Sequence, residues 1–251
     1  MPWHEGLFLP RNVFRNHMYR GINILTLWAI ARKEDYRSHE WATPNQWRER
    51  RYPVKRKERP TEIIYANYLE SPEDPHVRTW GILNGEQVKG WKPRTPNALP
   101  EADRIGNAER FFAELDADVR TQDRGHLRAY YSPRCDFINM PPFEAFIDAV
   151  SYYSTLGHEH VHWTGAKNRC KRSLYSEYGS AAYAFEELIA ELGAAFLCAR
   201  LNIENPPRRD HAAYVSDWLK VLKNDSKSIF KGASKAQKAV DWMFQKGDGK
   251  K

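Results

Sequence analysis

Five consecutive residues carry the clearest chemical signal in the chain: His158-Glu159-His160-Val161-His162, a match to H-E-x-x-H. Residues four apart on a helix share a face, so the imidazoles of His158 and His162 can bind one metal ion while Glu159 lies near its water. Such a centre polarises a scissile carbonyl and lowers the pKa of the water towards about 7, and Glu159 passes the proton to the leaving amine. The competing reading is two histidines capping a helix C-terminus through its dipole. His160, two residues from His158, points to the opposite face and is read as a core or surface histidine.

A third ligand is expected on the next helix, where Phe185–Leu192 reads FEELIAEL. Tyr183, Glu187 and Glu191 fall at i, i+4 and i+8 and share a face. Burying carboxylates among alanines and leucines is costly unless something cationic receives them. The segment resembles the N-E-x-x-S-D helix of thermolysin-like zincins, which makes Glu187 the ligand and Glu191 the partner that holds a ligand histidine in the right tautomer. Glu186, about 100° round the helix, is the alternative ligand. Two histidines, one carboxylate and an open fourth position make a catalytic zinc arrangement, although Mn²⁺ or Co²⁺ could occupy it. Tyr175, Tyr178, Tyr183, His211 and Tyr214 are candidate donors to a tetrahedral intermediate, and packing residues otherwise.

A second candidate function lies in Arg48–Arg59, RERRYPVKRKER, which has seven cations and two acids. Trp41, Trp47, Tyr52 and Tyr65 lie beside it. Cations along a backbone and aromatics stacked on bases are what single-strand binding requires. The alternative is a solvated basic loop beside core tryptophans, and the residues alone leave the two readings level.

These motifs sit on an α+β chain whose second half is dominated by helices. Expected elements in the first half are a helix over Tyr19–Lys33, a helix over Ser38–Arg51 capped at Thr43-Pro44, a strand over Thr61–Leu69, and a hairpin at Asn84-Gly85 within Trp80–Trp91. In the second half, a helix over Ala108–Asp118 precedes a strand-turn-strand over Leu127–Met140. Long helices follow over Pro142–Trp163 and Ser180–Leu201, and two more begin near Asp210 and at a Ser234/Gln237 capping box. Pro93, Pro96 and Pro100 place a linker over 93–104 between domains at 1–92 and 105–251.

Of 251 residues, 41% are apolar and 28% charged, which excludes wholesale disorder. The net +7 divides unevenly: residues 1–100 balance at +6, 101–219 at −5 and 220–251 at +6. No apolar run is long enough to span a bilayer, no secretory signal opens the chain, and Cys135, Cys170 and Cys198 lack disulfide or zinc spacing. These features suggest a soluble, reduced, cytoplasmic protein with no membrane partner.

With these residues in view, the chain resembles the ArdC-type plasmid antirestriction proteins and their relatives fused to plasmid-transfer primases. The likeness rests on AYYSPRCDFINMPP, HEHVHWTG, YAFEELIAELGAAFLCARL and SDWLKVLKNDSKSIFKGASKAQKA, and on PW, YRGINILTLW and WATPNQW in the first half. It implies a single-stranded-DNA-binding domain followed by a zincin-like metallopeptidase domain, protecting incoming plasmid DNA from host restriction. The DNA-contacting residues are then expected among Arg20, Trp47, Arg51, Lys55, Arg56, Lys57 and Arg59. The peptidase substrate would be a protein met on or near that DNA, such as a restriction-associated protein. The alternative is a DNA-shielding protein whose metal site is structural or vestigial. Two departures from the family stand out: VKRKERPTEIIY replaces a glycine-containing basic turn, and the helix usual ahead of PW is missing, as in a chain that is naturally short or truncated at its start.

Overall fold

The computed structural model describes residues 8–67, 76–92, 101–121, 128–174, 177, 180–203 and 228–248. The chain forms two compact units, one over residues 8–97 and the other over 98–251. Strands with flanking helices make up the first, and helices dominate the second, so both are α+β.

The first unit is built on a five-stranded sheet of order β2-β1-β3-β5-β4. Its strands are β1 (Arg11–Asn12), β2 (His17–Met18), β3 (Glu40–Ala42), β4 (Thr61–Asn67) and β5 (His76–Asn84). β1 and β3 run parallel and the other pairs antiparallel. Helix α1 (Ile22–Lys33) starts three residues later than expected, after Gly21 at φ 56°. Its Leu27 packs with Tyr19, Trp41 and Ile82 on one face of the sheet. The other face holds Ala42, Trp47, Leu83 and Val88.

Two expectations in this unit need correction. Ser38–Arg51 is not one helix, because Glu40, Trp41 and Ala42 are all buried in strand β3, and only α2 (Pro44–Glu49) is helical. Thr43 caps α2, and Gln46 returns the hydrogen bond in a capping box. Asn84-Gly85 does not turn a hairpin either. The Asn84 side chain accepts from Glu86 N at 2.9 Å and starts a short 3₁₀ turn over Gly85–Gln87. Asn is as good a cap as it is a turn residue, and β5 finds its antiparallel partner in β4 instead.

In the second unit, β6 (Asp118–Thr121), β8 (Phe137–Met140) and β7 (Tyr130–Ser132) form a sheet in that order, with β6 parallel and β7 antiparallel to β8. The strand-turn-strand expected over Leu127–Met140 is the β7–β8 pair. The helices are α3 (Glu101–Leu115), α4 (Ala149–Trp163), α5 (Ala181–Leu201) and α6 (Ser228–Asp248). α3 begins inside the expected 93–104 linker and ends before Asp118. α4 begins seven residues after Pro142, because Asp148 caps it through Ser151 N and a 3₁₀ turn occupies Phe143–Ala145. Ser234 lies within α6 and starts nothing. The helix expected near Asp210 lies outside the described residues.

α5 packs between α4 and α6 and is buried almost all round. Small residues allow this close approach: a Cβ added at Gly193 would sit 2.7 Å from Val161 Cγ2. The α4–α5 contact brings the two motif helices together. No helix among the described residues is long and apolar enough to cross a membrane.

Candidate metal centre and nucleic-acid surface

One helical turn separates His158 from His162, and their Nε2 atoms lie 3.1 Å apart on the face of α4 that meets α5. Across from them is Glu187. Its Oε2 is 3.5 Å from His158 Nε2 and its Oε1 is 3.4 Å from His162 Nε2. One ligand atom from each of the three residues falls within 4.8 Å of the other two. Two imidazole nitrogens and a carboxylate facing one point form a donor set that suits a divalent transition metal. Glu159 is buried next to this set.

The remaining carboxylates hold the histidines from behind. His158 Nδ1 lies 3.5 Å from Glu191 Oε2, and His162 Nδ1 lies 3.3 Å from Glu186 Oε1. Held through Nδ1, each imidazole aims its Nε2 at Glu187, and that nitrogen can bind a metal ion once it is deprotonated. Glu186, read from sequence as the alternative ligand, therefore sits on the far side of His162. Arg172 pairs with it at 2.8 Å. The same guanidinium donates to Thr164 Oγ1 at 2.9 Å and to the Val161 carbonyl, and so caps the end of α4. The sequence reading missed Arg172, since a cation in a loop after the helix has no periodicity to mark it.

Burial alone would lower the His162 pKa, but Glu187 and Glu186 outweigh it and raise it to about 10. Burial would likewise raise the two carboxyls, yet His162 with His158 holds Glu187 below the usual carboxylate range, and His162 with Arg172 does the same for Glu186. The same field favours a cation where the three ligand atoms converge. His160 faces away, as expected. Its Nδ1 donates to the Leu156 carbonyl at 2.8 Å and its ring lies 4.7 Å from Phe112, and burial lowers its pKa to about 4. Of the candidate donors to an intermediate, Tyr183 is half-buried near the start of α5, and Tyr175, Tyr178, His211 and Tyr214 lie outside the described residues.

The basic segment of the first unit is a different kind of surface. Arg51, Lys55, Arg56, Lys57 and Arg59 are exposed, as is Arg20. Lys55 Nζ donates to the Glu86 carbonyl at 2.6 Å, and a bridge between Val54 and Val88 ties this loop to the sheet. Trp47 is corrected: it is 0% exposed and cannot stack on a base. Its Nε1 donates to the Leu83 carbonyl at 3.1 Å, and its ring meets Phe14 and Trp91 edge-on. Trp41 is core as well, while Tyr65 stands 62% exposed.

Comparison with known proteins agrees with this division of the chain. Residues 106–235 match a zincin-like metallopeptidase family, and residues 1–98 match the N-terminal domain of the anti-restriction factor ArdC. The chain is 42% identical to the uncharacterized protein y4eC of Sinorhizobium fredii, covering 97% of this chain and 84% of that one. It is 32% identical to the DNA primase TraC of Escherichia coli, of whose length it spans 25%. Among solved structures, it matches crystal structures of the antirestriction protein ArdC from plasmid R388. The Mn(II)-bound form gives TM-score 0.82 and 37% identity over 98% of this chain and 91% of that one. The metal-free form gives 0.83 and 35% over 99% and 92%. With both of its units matched and an ArdC structure aligned over nearly its whole length, the chain belongs to the ArdC antirestriction family, with an ArdC N-terminal domain followed by a zincin-like domain.

Proposed function

We propose that this protein binds single-stranded DNA through its first unit and carries a metal-dependent, peptidase-like centre in its second, protecting incoming plasmid DNA from restriction in the cytoplasm. The observation that carries the enzymatic part is the convergence of His158 Nε2, His162 Nε2 and the Glu187 carboxylate, with Glu159 buried alongside. These residues would hold the ion, with Zn²⁺, Mn²⁺ and Co²⁺ all compatible with two nitrogens and an oxygen. When bound, the ion supplies Lewis-acid polarisation of a scissile carbonyl.

The chain's own residues do the rest. Glu191 and Glu186 fix the two imidazoles through Nδ1 and aim their Nε2 atoms at the point where the ion would sit. The Glu159 carboxylate accepts a proton from the attacking water and donates it to the nitrogen of the leaving amine. The substrate would be a protein encountered on or near the DNA. The DNA side rests on the ArdC-type first domain and its exposed cations.

The second reading is a DNA shield that needs no catalysis. The chain matches the metal-bound and metal-free ArdC structures equally well, which fits a fold that does not depend on a bound ion. One experiment separates the readings: metal analysis, oligonucleotide binding and restriction protection for the wild type, His158→Ala and Glu159→Gln. The catalytic reading expects His158→Ala to lose its metal and Glu159→Gln to keep it, with DNA binding intact and protection lost in both. Full protection by Glu159→Gln would establish the shield.

A further inference from the structure

The β4–β5 ribbon carries aromatic side chains that the folded core leaves uncovered. In its register Thr61 faces Ile82, Ile63 faces Trp80 and Tyr65 faces Arg78. Alternation puts these six side chains on one face of the ribbon and Glu62, Ile64 and Thr79 on the other. Along the first face burial falls steadily. Ile82 is buried, Ile63 packs against the α1 cluster, and beyond it Trp80 is 54% and Tyr65 62% exposed. Among the described side chains, the exposed part of this face carries Arg78, while Glu62 is on the reverse side.

The ribbon's edge is occupied at its midpoint, which favours its face as the surface on offer. Asn23 Nδ2 donates to the Ile64 carbonyl at 2.7 Å, and Ile64 N donates to Asn23 Oδ1 at 2.8 Å. That amide takes the place of a further strand at Ile64, the midpoint of β4, and so disfavours β-addition there.

We infer that Trp80 and Tyr65 form a stacking platform for the bases of single-stranded DNA, with Arg78 beside them for the phosphate backbone. The inference rests on the proposed DNA-binding role of the first unit and moves the aromatic half of that surface from Trp47 to the β4–β5 face. Trp80 and Tyr65 are diagonal neighbours, with Cα atoms about 7–8 Å apart, close enough to serve adjacent bases. An uncharged aromatic pair next to a cation suits a polyanion that presents flat apolar rings. The exposed cations of residues 48–59 then add sequence-independent backbone attraction.

The test uses the full chain and a fluorescein-labelled oligothymidylate, with anisotropy measured across a salt series. Trp80→Ala and Tyr65→Ser should each weaken binding about 5- to 150-fold, with the salt slope unchanged, because stacking releases no counterions. Trp80→Phe keeps a stacking ring and should recover most of the affinity. Both side chains are exposed, so thermal melting should match the wild type. Wild-type affinity in the double variant overturns the platform while leaving DNA binding by this unit intact. No binding by the wild type overturns both. A change of oligomeric state in the double variant, read by light scattering, also overturns the platform, because the face is then a contact between copies of the chain.

Discussion

In the helical unit, Glu159, Glu186, Glu187 and Glu191 are all buried, and the last three each stand against an imidazole within 3.5 Å. In the sheet unit, Arg48, Arg50, Arg51, Lys55, Arg56, Lys57 and Arg59 are all exposed. Both groups of residues are rich in charge, and it is the glutamates that stand against imidazoles at fixed geometry. Buried charges need specific partners, since each unpaired one costs several kcal/mol, whereas exposed ones need only water. One region can therefore act as a centre of reaction. The other can act only as a field, unless rigid aromatic groups add to it.

The largest effects should follow from breaking the centre. Glu187→Ala removes one of the three converging side chains proposed to hold the ion and is expected to reduce bound metal from one equivalent to near zero, read by elemental analysis. Metal should raise the wild-type melting temperature by linkage, about 2.7 kcal/mol at a hundredfold excess over Kd, and leave that of Glu187→Ala unchanged. Equal metal content in the two proteins would remove Glu187 from the ligand set.

Arg172 offers the next largest effect. Arg172→Met leaves Glu186 buried with only His162 beside it, and breaking such a pair costs about 3–5 kcal/mol. Denaturant unfolding of the second unit should show that loss. Adding Glu186→Gln should restore part of it, because the stranded charge is gone. A double variant no more stable than Arg172→Met would mean that Arg172 acts through the α4 carbonyls it caps.

How well the sequence foretold each region follows from the same contrast. His158, His162, Glu187 and Glu191 could be read because helical spacing puts groups four residues apart on one face, and buried acids among alanines call for a cationic partner. Arg172 could not, because its place depends on the path of a loop. In the sheet unit, composition misled. Trp47 lies beside a run of cations in sequence, yet its ring fills the core next to Leu83. Trp80 lies far from that run, and its exposure depends on the β4–β5 register and on where α1 stops covering the sheet. Asn84-Gly85 fits a hairpin turn and a helix cap equally well, and only tertiary pairing chooses between them.

The field of the sheet unit should respond to substitution in proportion rather than all at once. Replacing Arg51, Lys55 and Arg59 together by serine should flatten the slope of log affinity against log salt by up to about 2, at about 0.7 per phosphate contact for single strands. The metal content of the second unit should stay the same. An unchanged slope would place the DNA on other cations and leave this segment as a solvated loop.

The smallest effect tests whether a partly exposed charge in the helical unit behaves like those in the sheet unit. Asp136, in the β7–β8 turn at φ 53°, pairs with Arg169 and accepts from Tyr131 Oη at 2.8 Å. Arg169 in turn donates to the Trp163 carbonyl at 2.6 Å and stacks on the Trp163 ring, which ties the turn to the end of α4. The Arg169 hydrogen bond outweighs burial and holds the Asp136 carboxyl below the usual carboxylate range. A folded-state pKa below the unfolded one gives stability that is present above about pH 4 and lost as pH falls through the folded value. Asp136→Asn keeps a residue that tolerates positive φ and removes only the charge. Since Asp136 is half-exposed, its pair should be worth about 0–1 kcal/mol at neutral pH. The stability gap between variant and wild type should close as pH falls below about 4, read by thermal melting in acid. A gap that persists below that range would mean that the contribution does not come from the charge on Asp136. Metal content should be unaffected in either case, because His158 and His162 on α4 are held from behind by Glu191 and Glu186 and not by this turn.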